Sequence, residues 1–340
     1  MCRVGSRILM TVSVAVVSLS VTAGMSRGDE GGISFWLPGQ YGSLAAVPQQ
    51  PGWQLATVYY HTSVDAGADL SAARQVQVGR FKSSVNVNLK ANMRANADLG
   101  IVVPSYAFET PVFGAQLAVG VTAIYGRMDT SLTGEASASL GPLAIVRSGS
   151  ISDDTTGFGD LYPNAVLRWN AGIHNYMAYL TGGIPVGKYS SDSLANIGIG
   201  HAAIDAGVGY TYFNPANGRE FSAVAGLTQN FENGSTGYTN GYDFHVDWAA
   251  SQFLSKQMHV GLVGYFYQQL TADSGQPAFL GDFESRVVSI GPQIGFVFPM
   301  GEMQSYLNLK GYKEFAAENR AEGWNAWATF VVSRAPRATR

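Results

Sequence analysis

The chain has 340 residues and a formal net charge of −3, with only 13% charged residues but 12% aromatic residues and 41 glycines. The charged share is about half that of an ordinary soluble domain, and the mild acidity argues against a nucleic-acid partner. Two uncharged stretches, 99–108 and 110–126, are interrupted by prolines and glycines, which argues against helical membrane spans. This composition favours a transmembrane β-barrel, in which half of the side chains face lipid and half face water.

The N-terminus has the features of a secretory signal peptide. An apolar run, 8–21, follows two arginines and ends in the small-x-small triplet Val21-Thr22-Ala23, the pattern that a signal peptidase recognises. We therefore expect residues 1–23 to be removed on secretion. Cys2, the single cysteine of the chain, would leave with them, so the mature chain would form no disulfide and no Cys-ligated metal site.

Residues 24–51 precede the first predicted strand. Three prolines in this segment, Pro38, Pro48 and Pro51, prevent a long helix and discourage ladder pairing. Its aromatic residues Phe35, Trp36 and Tyr41 argue against free disorder. We expect the segment to fold into the lumen of the barrel as a plug, with a periplasmic position as the alternative.

The clearest strand pattern runs from Val85 to Ile101, where odd positions are apolar and most even positions are polar. Successive side chains of a strand point to opposite faces, so this segment has one apolar and one polar face. It exceeds the roughly 10 residues needed to cross a membrane at a tilt, and we expect it to protrude. The usual arrangement places the apolar face against lipid. Candidates for the lumen wall are then Asn86, Asn88, Lys90, Asn92, Arg94 and Asp98.

About twelve such segments fill residues 52–333 and predict an all-β, antiparallel up-and-down barrel, followed by a short tail, 334–340. They begin near Trp53, Ser84, Gln116, Asp160, Asn175, Ala203, Glu220, Gly241, Met258, Arg286, Met303 and Gly323. Long connections, including 129–159, alternate with short ones, as expected for outer loops and periplasmic turns. The connection 102–115 is too long for a tight turn, which leaves fourteen strands as the alternative.

Six motifs follow one another along the mature chain: Gly32–Gly39, Gly157–Asp160, Gly183–Tyr189, Leu194–Gly198, Gly261–Leu270 and Ser289–Gln293. They cover most of it and are individually weak but fairly specific together. In this order they resemble a family of outer-membrane transporters named for the MetA pathway of phenol degradation. The resemblance implies an outer-membrane channel that passes aromatic or other hydrophobic compounds.

Asp243, His245 and Asp247 form the most reactive-looking cluster, because alternate strand residues share a face. A histidine between carboxylates could act as a general base or bind a cation. A polar, water-filled lumen needs such groups as well, and we favour that interpretation. An outer-membrane hydrolase using this cluster is the alternative, and we expect no metal and no cofactor.

Four further residues are candidates for the lumen wall: Tyr265, Tyr267, Gln269 and Gln293. Tyrosines inside a barrel could guide flat apolar solutes, although an interfacial girdle is the commoner use of tyrosine. Together the patterns predict a non-enzymatic channel in the outer membrane that passes small hydrophobic or aromatic compounds by passive diffusion. Its partners would be membrane lipid and those solutes. A structural barrel is a further alternative, and the sequence leaves the oligomeric state open.

Overall fold

A computed structural model describes residues 34–70, 76–77, 84–140, 143–275 and 284–335. The predicted signal peptide, residues 1–23, lies outside this part of the chain. Thirteen strands are found in the described residues. They are β1 (Gly52–Leu70), β2 (Val76–Gln77), β3 (Ser84–Ala107), β4 (Gln116–Leu140), β5 (Leu143–Ala171), β6 (His174–Gly183), β7 (Ala203–Asn214), β8 (Arg219–Asn230), β9 (Asp243–Ser255), β10 (Met258–Gln269), β11 (Arg286–Met300), β12 (Met303–Glu318) and β13 (Glu322–Arg334). Within the described residues, no helix is long and apolar enough to cross a membrane.

The strands close into an antiparallel barrel, because β1 pairs with β13 on one side and with β3 on the other. Neighbouring strands otherwise pair in chain order. The two-residue β2 pairs only with β3, so twelve of the described strands form the wall. The twelve-strand barrel predicted from the sequence is confirmed, and the alternative of fourteen strands is not needed.

Two ends of the barrel differ in their connections. At the end where the chain enters β1, the turns are short, such as 172–173, 256–257 and 301–302. We call this the terminal end and the opposite end the loop end. The connection 102–115, which was too long for a tight turn, is shorter in the structure. β3 continues to Ala107, so that only 108–115 form the turn.

The prediction of a long loop at 129–159 is wrong. β4 and β5 contain 25 and 29 residues and pair down to Leu140 and Leu143, which forms a hairpin that projects beyond the loop end. A projecting hairpin meets water on both faces, so it does not need the alternation that marks a membrane strand. This weak pattern explains why the sequence alone did not indicate strands there.

The outer wall of β6–β13 carries large apolar side chains exposed on the barrel surface. Val208 is 65% exposed in the middle of β7. A surface this apolar matches the lipid-facing band of membrane barrels. Other exposed members of the band are Tyr176, Leu180, Ile204, Phe221, Leu227, Leu254, Leu262, Ile290, Leu309 and Trp324.

The segment before β1, residues 34–50, lies inside the barrel. Trp36 and Ala46 are buried, and they pack against inward-facing residues of β5, β6 and β8. We call residues 34–50 the plug. It divides the interior into a half that the plug fills, next to β7–β12, and an open half next to β1, β3, β4 and β5.

Candidate functional site

Two opposite charges hold the turn of the plug around Gly39. The carboxylate of Asp247 accepts hydrogen bonds from the backbone N–H groups of Gly39 and Tyr41, at 2.8 and 3.1 Å. The Lys310 Nζ donates to the carbonyl oxygens of Gly39 and Gln40, at 2.6 and 3.3 Å. Gly39 has a φ of +89°, and a Cβ there would lie 3.0 Å from the Tyr312 ring. This turn therefore requires glycine.

The rest of the plug is bound to the wall in the same way, by side chains that satisfy its backbone. Glu220 accepts from Ser43 Oγ at 2.7 Å and from the Leu44 N–H at 2.9 Å. Thr211 Oγ1 accepts from the Ala46 N–H at 3.0 Å. A segment without regular structure needs such partners, because an unpaired buried N–H or C=O is costly. The polar lining of this half thus serves to hold the plug.

The predicted Asp-His-Asp cluster lies inside the barrel, and the structure accounts for each member. His245 is fully buried, its Nε2 lies 2.8 Å from Asp205 Oδ2, and the Trp36 indole stacks on its ring at 3.6 Å. Asp247 binds the plug, and Asp243 accepts from Asn230 Nδ2 at 2.9 Å. A general base must lie within hydrogen-bond reach of the water or hydroxyl proton that it abstracts, and the stacked indole and full burial of this imidazole argue against such an approach.

A loop at the loop end, 184–202, folds into the barrel and is held by one buried carboxylate. Asp160 accepts from the N–H groups of Gly187 and Ile199, at 2.7 and 2.8 Å. Ile197 and Ile199 are buried as a result. Three of the motifs noted in the sequence, 157–160, 183–189 and 194–198, therefore meet in a single constriction at the loop end.

The open half of the interior contains a cavity of about 410 Å³. Lining residues on β1 extend from Gln54 to Val64, which is roughly 33 Å along an extended strand. At the usual strand tilt this is about 25 Å along the barrel axis, similar to the height of the apolar band of membrane barrels. The wall is mainly apolar. Its apolar members include Ala56, Val58, Tyr60, Met93, Ala95, Ala97, Leu99, Ile101, Val103, Ile124, Met128, Val166, Ile197 and Trp327.

Polar groups lie at both ends of this cavity. Gln49, Gln54, Asn164 and Arg168 line it at the terminal end, and Ser285, Glu314, Asn319 and Arg320 line it at the loop end. The cavity thus combines an apolar body with polar ends, which is the usual composition of a site for small organic ligands.

The predicted orientation of β3 is wrong. Asn92, Arg94 and Asp98 are exposed on the outer face, where Asp98 accepts from Tyr59 Oη at 2.5 Å and Arg94 pairs with Asp65 at 2.8 Å. The odd positions face the cavity instead. The side chains of Asn86, Asn88 and Lys90 lie outside the described part of the structure. On a strand that projects past the lipid, the polar face can point outward to water.

The remaining candidates lie inside the barrel but in its plugged half. Tyr265 Oη donates to Glu314 at 2.7 Å, and the Arg320 guanidinium lies 4.7 Å from the Tyr267 ring centroid. Gln269 Nε2 donates to Asp273 at 2.6 Å, and Gln293 Nε2 donates to Ser43 Oγ of the plug at 2.8 Å. None of the predicted lumen-wall residues with described side chains lines the cavity. Their part in permeation remains a prediction.

Sequence reasoning missed the residues that do line the cavity. On β3 these are the odd-numbered residues, among them Ala95 and Ala97, which pack against Ala195 and Ile197 of the inward loop. Small side chains on one strand face are a usable signal, because a lipid-facing wall favours bulky side chains while a close contact needs small ones. No sequence pattern indicated that Arg168 lines the cavity, since a single arginine in a strand is usually interpreted as a surface charge.

Comparisons with known proteins agree with this fold. A family model described as "Putative MetA-pathway of phenol degradation" matches residues 79–330. The crystal structure of the COG4313 outer membrane channel from Pseudomonas putida F1 is similar, with a TM-score of 0.62 and 15% identity over 88% of this chain and 100% of that one. A Pseudomonas aeruginosa FadL homologue has a TM-score of 0.40 and 10% identity, covering 92% and 96%. No curated protein matches the chain.

Proposed function

This chain belongs to the family described by the phenol-degradation model, and we propose that it is an outer-membrane channel for small hydrophobic or aromatic compounds. Solutes cross by passive diffusion through the open half of the lumen, beside the plug. The terminal end faces the periplasm and the loop end faces the outside, as in bacterial outer-membrane barrels. The similar solved structure, named as an outer membrane channel, supports the same assignment.

The observation that carries this proposal is the apolar cavity inside the barrel. Porin lumens for hydrophilic solutes are polar and water-filled, whereas here β1, β3 and β4 present Val58, Leu99 and Ile124 to the open space. An apolar solute gains by leaving water for such a wall. A volume of about 410 Å³ falls within the range of roughly 300–1,000 Å³ for small-molecule sites.

The hydrolase alternative has no comparable support. Its base, His245, lies under the Trp36 ring, and its second carboxylate, Asp247, is bound to the plug. We propose that the chain carries out no catalytic step. In liposomes, we expect ester turnover to stay at background for the wild type and for His245→Ala alike.

A pair of adjacent tryptophan substitutions on β1 tests the channel. Ala56 lines the cavity, while Leu55 is exposed on the outer wall. In vesicles with a lipopolysaccharide outer leaflet, which resists apolar solutes better than a phospholipid bilayer does, Ala56→Trp should strongly reduce the flux of a neutral aromatic solute such as toluene, because the indole occupies part of the cavity. Leu55→Trp adds the same ring to the lipid side and should leave the flux unchanged.

Both variants must first show the heat-modifiable mobility of a folded barrel. Equal flux for Ala56→Trp and the wild type would refute permeation through this cavity. A wild type that gives no flux above that of protein-free vesicles with the same lipopolysaccharide leaflet would refute the channel itself.

A further inference from the structure

Arg168 is a buried cation at the terminal end of the cavity. It lies near the end of β5 with 8% of its surface exposed, and it is among the residues that line the open space. Gln54 and Asn164 line the cavity in the same region. A solute that moves along the apolar wall would therefore meet this charge before it leaves the barrel.

This guanidinium is bound to little else in the protein. Its hydrogen bond in the described structure runs from Nε to the carbonyl oxygen of Ala45, at 3.3 Å. None of the ion pairs among the described residues includes Arg168. Arginine has five N–H donors, so most of them remain for water or for a ligand.

An unpaired charge in so buried a place is unfavourable for folding. Three other buried charges of the lumen differ, because Asp247, Glu220 and Lys310 are each used to hold the plug. Among the described residues, Arg168 makes one long hydrogen bond with the plug, to the Ala45 carbonyl oxygen. A neutral donor would serve that carbonyl equally well. Stability alone therefore gives no reason for a positive charge at this position.

Building on the channel proposed above, we propose that Arg168 forms a binding subsite for the carboxylate of amphipathic organic acids. The acid places its apolar body, an aromatic ring for example, against the wall formed by β1, β3 and β4. Its carboxylate meets Arg168, whose planar fork matches two carboxylate oxygens. The cargo would thus include aromatic carboxylates besides neutral hydrocarbons.

Paired probes of nearly the same shape test this subsite. Binding of 4-phenylbenzoate and of its uncharged amide to the purified, detergent-solubilised protein is measured by calorimetry at pH 7.5. The wild type should bind the acid about tenfold more tightly, since hydrogen bonds to charged groups exceed neutral ones by this order. Arg168→Gln should abolish the difference, and Arg168→Lys should retain part of it.

Arg127→Gln provides the matched control, because Arg127 is exposed on the outer wall and pairs with Asp129. Its preference for the acid should equal that of the wild type. If Arg168→Gln fails to fold, Arg168→Lys still decides the question, because a preference equal to that of the wild type would place the acid at another cation of the lining, such as Arg320. Equal binding of acid and amide by the wild type, or an unchanged preference in Arg168→Gln, would overturn the subsite. If the wild type also failed to bind the amide and to pass toluene, the proposed channel would fail with it.

Discussion

The two halves of the lumen differ in what their side chains contact. In the half next to β7–β12, buried carboxylates, a lysine and hydroxyl groups bind the backbone of the plug. In the half next to β1, β3, β4 and β5, apolar side chains face open space. The half that contains the plug is thus polar because its side chains bind the plug. The other half is apolar although it is open.

This difference shows that polarity inside a barrel need not mark a water path. The irregular plug has backbone groups that require partners wherever they are buried, and the polar wall supplies them. The open half has no such backbone to satisfy, so its wall can match an apolar cargo. Lumen-facing polar residues in this chain therefore indicate plug contacts before they indicate permeation.

The largest effect is expected from breaking the plugged half at Asp247. Asp247→Ala leaves the N–H groups of Gly39 and Tyr41 unpaired and removes the negative charge near Lys310. Loss of one partner in such a buried cluster destabilises by about 3–5 kcal/mol. We expect a higher single-channel conductance in planar bilayers and faster proteolysis of residues 34–50.

Asp129→Ala, on the exposed outer wall, is the control. Wild-type conductance in Asp247→Ala would show that the plug does not depend on this carboxylate.

The second prediction compares the lipid-facing band of the barrel with the part of β4 that projects into water. Val208→Arg puts a charge in the middle of the apolar outer band and should lower the free energy of unfolding by about 2–4 kcal/mol. Thr133→Arg, on the projecting part of β4, should change it by less than about 0.5 kcal/mol. Urea unfolding in lipid vesicles measures both. Similar losses for the two variants would contradict the assignment of the projecting strands to water.

A smaller effect is expected at the constriction of the open half. Asp160→Ala leaves two N–H groups of the inward loop unpaired, which costs about 1–3 kcal/mol. The loop 184–202 should then be cleaved faster by protease added from outside, and toluene flux should rise. Asp192→Ala, at an exposed position in the same loop, should behave as the wild type. Unchanged cleavage in Asp160→Ala would mean that other contacts hold the loop.

The smallest change tests the two faces of β3 without altering stability. In a Cys2→Ser background, Asn92→Cys should react quickly with a hydrophilic thiol reagent added outside. Met93→Cys faces the cavity, so it should react more slowly and be protected by an apolar solute. Protection of both positions, or of neither, would contradict the orientation found in the structure.

Much of the barrel could be predicted from the sequence because strand alternation is a local property. The predicted starts at Ser84, Gln116, Ala203, Met258 and Met303 coincide with the observed strand starts. The extent of β4 and β5 could not be predicted in this way. Their outer parts leave the membrane, where neither face has to be apolar.

The candidate site was predictable only in part. The Asp-His-Asp residues share an inward face, as their spacing indicates, but their contacts with Trp36 and Gly39 bridge about 200 residues of chain. No local pattern records such a contact. Arg168 likewise became notable only when the described residues showed no ion pair between it and a carboxylate.

The sequence by itself determined the class of fold and the existence of two faces on each strand, since these depend on side chains a few residues apart, and it left twelve or fourteen strands open. Only the tertiary structure decided which face of β3 looks inward and where the plug lies. It also decided that the open half of the lumen is apolar. These outcomes depend on which distant segments meet inside the closed barrel, and barrel closure brings them together without leaving a periodic mark on the chain.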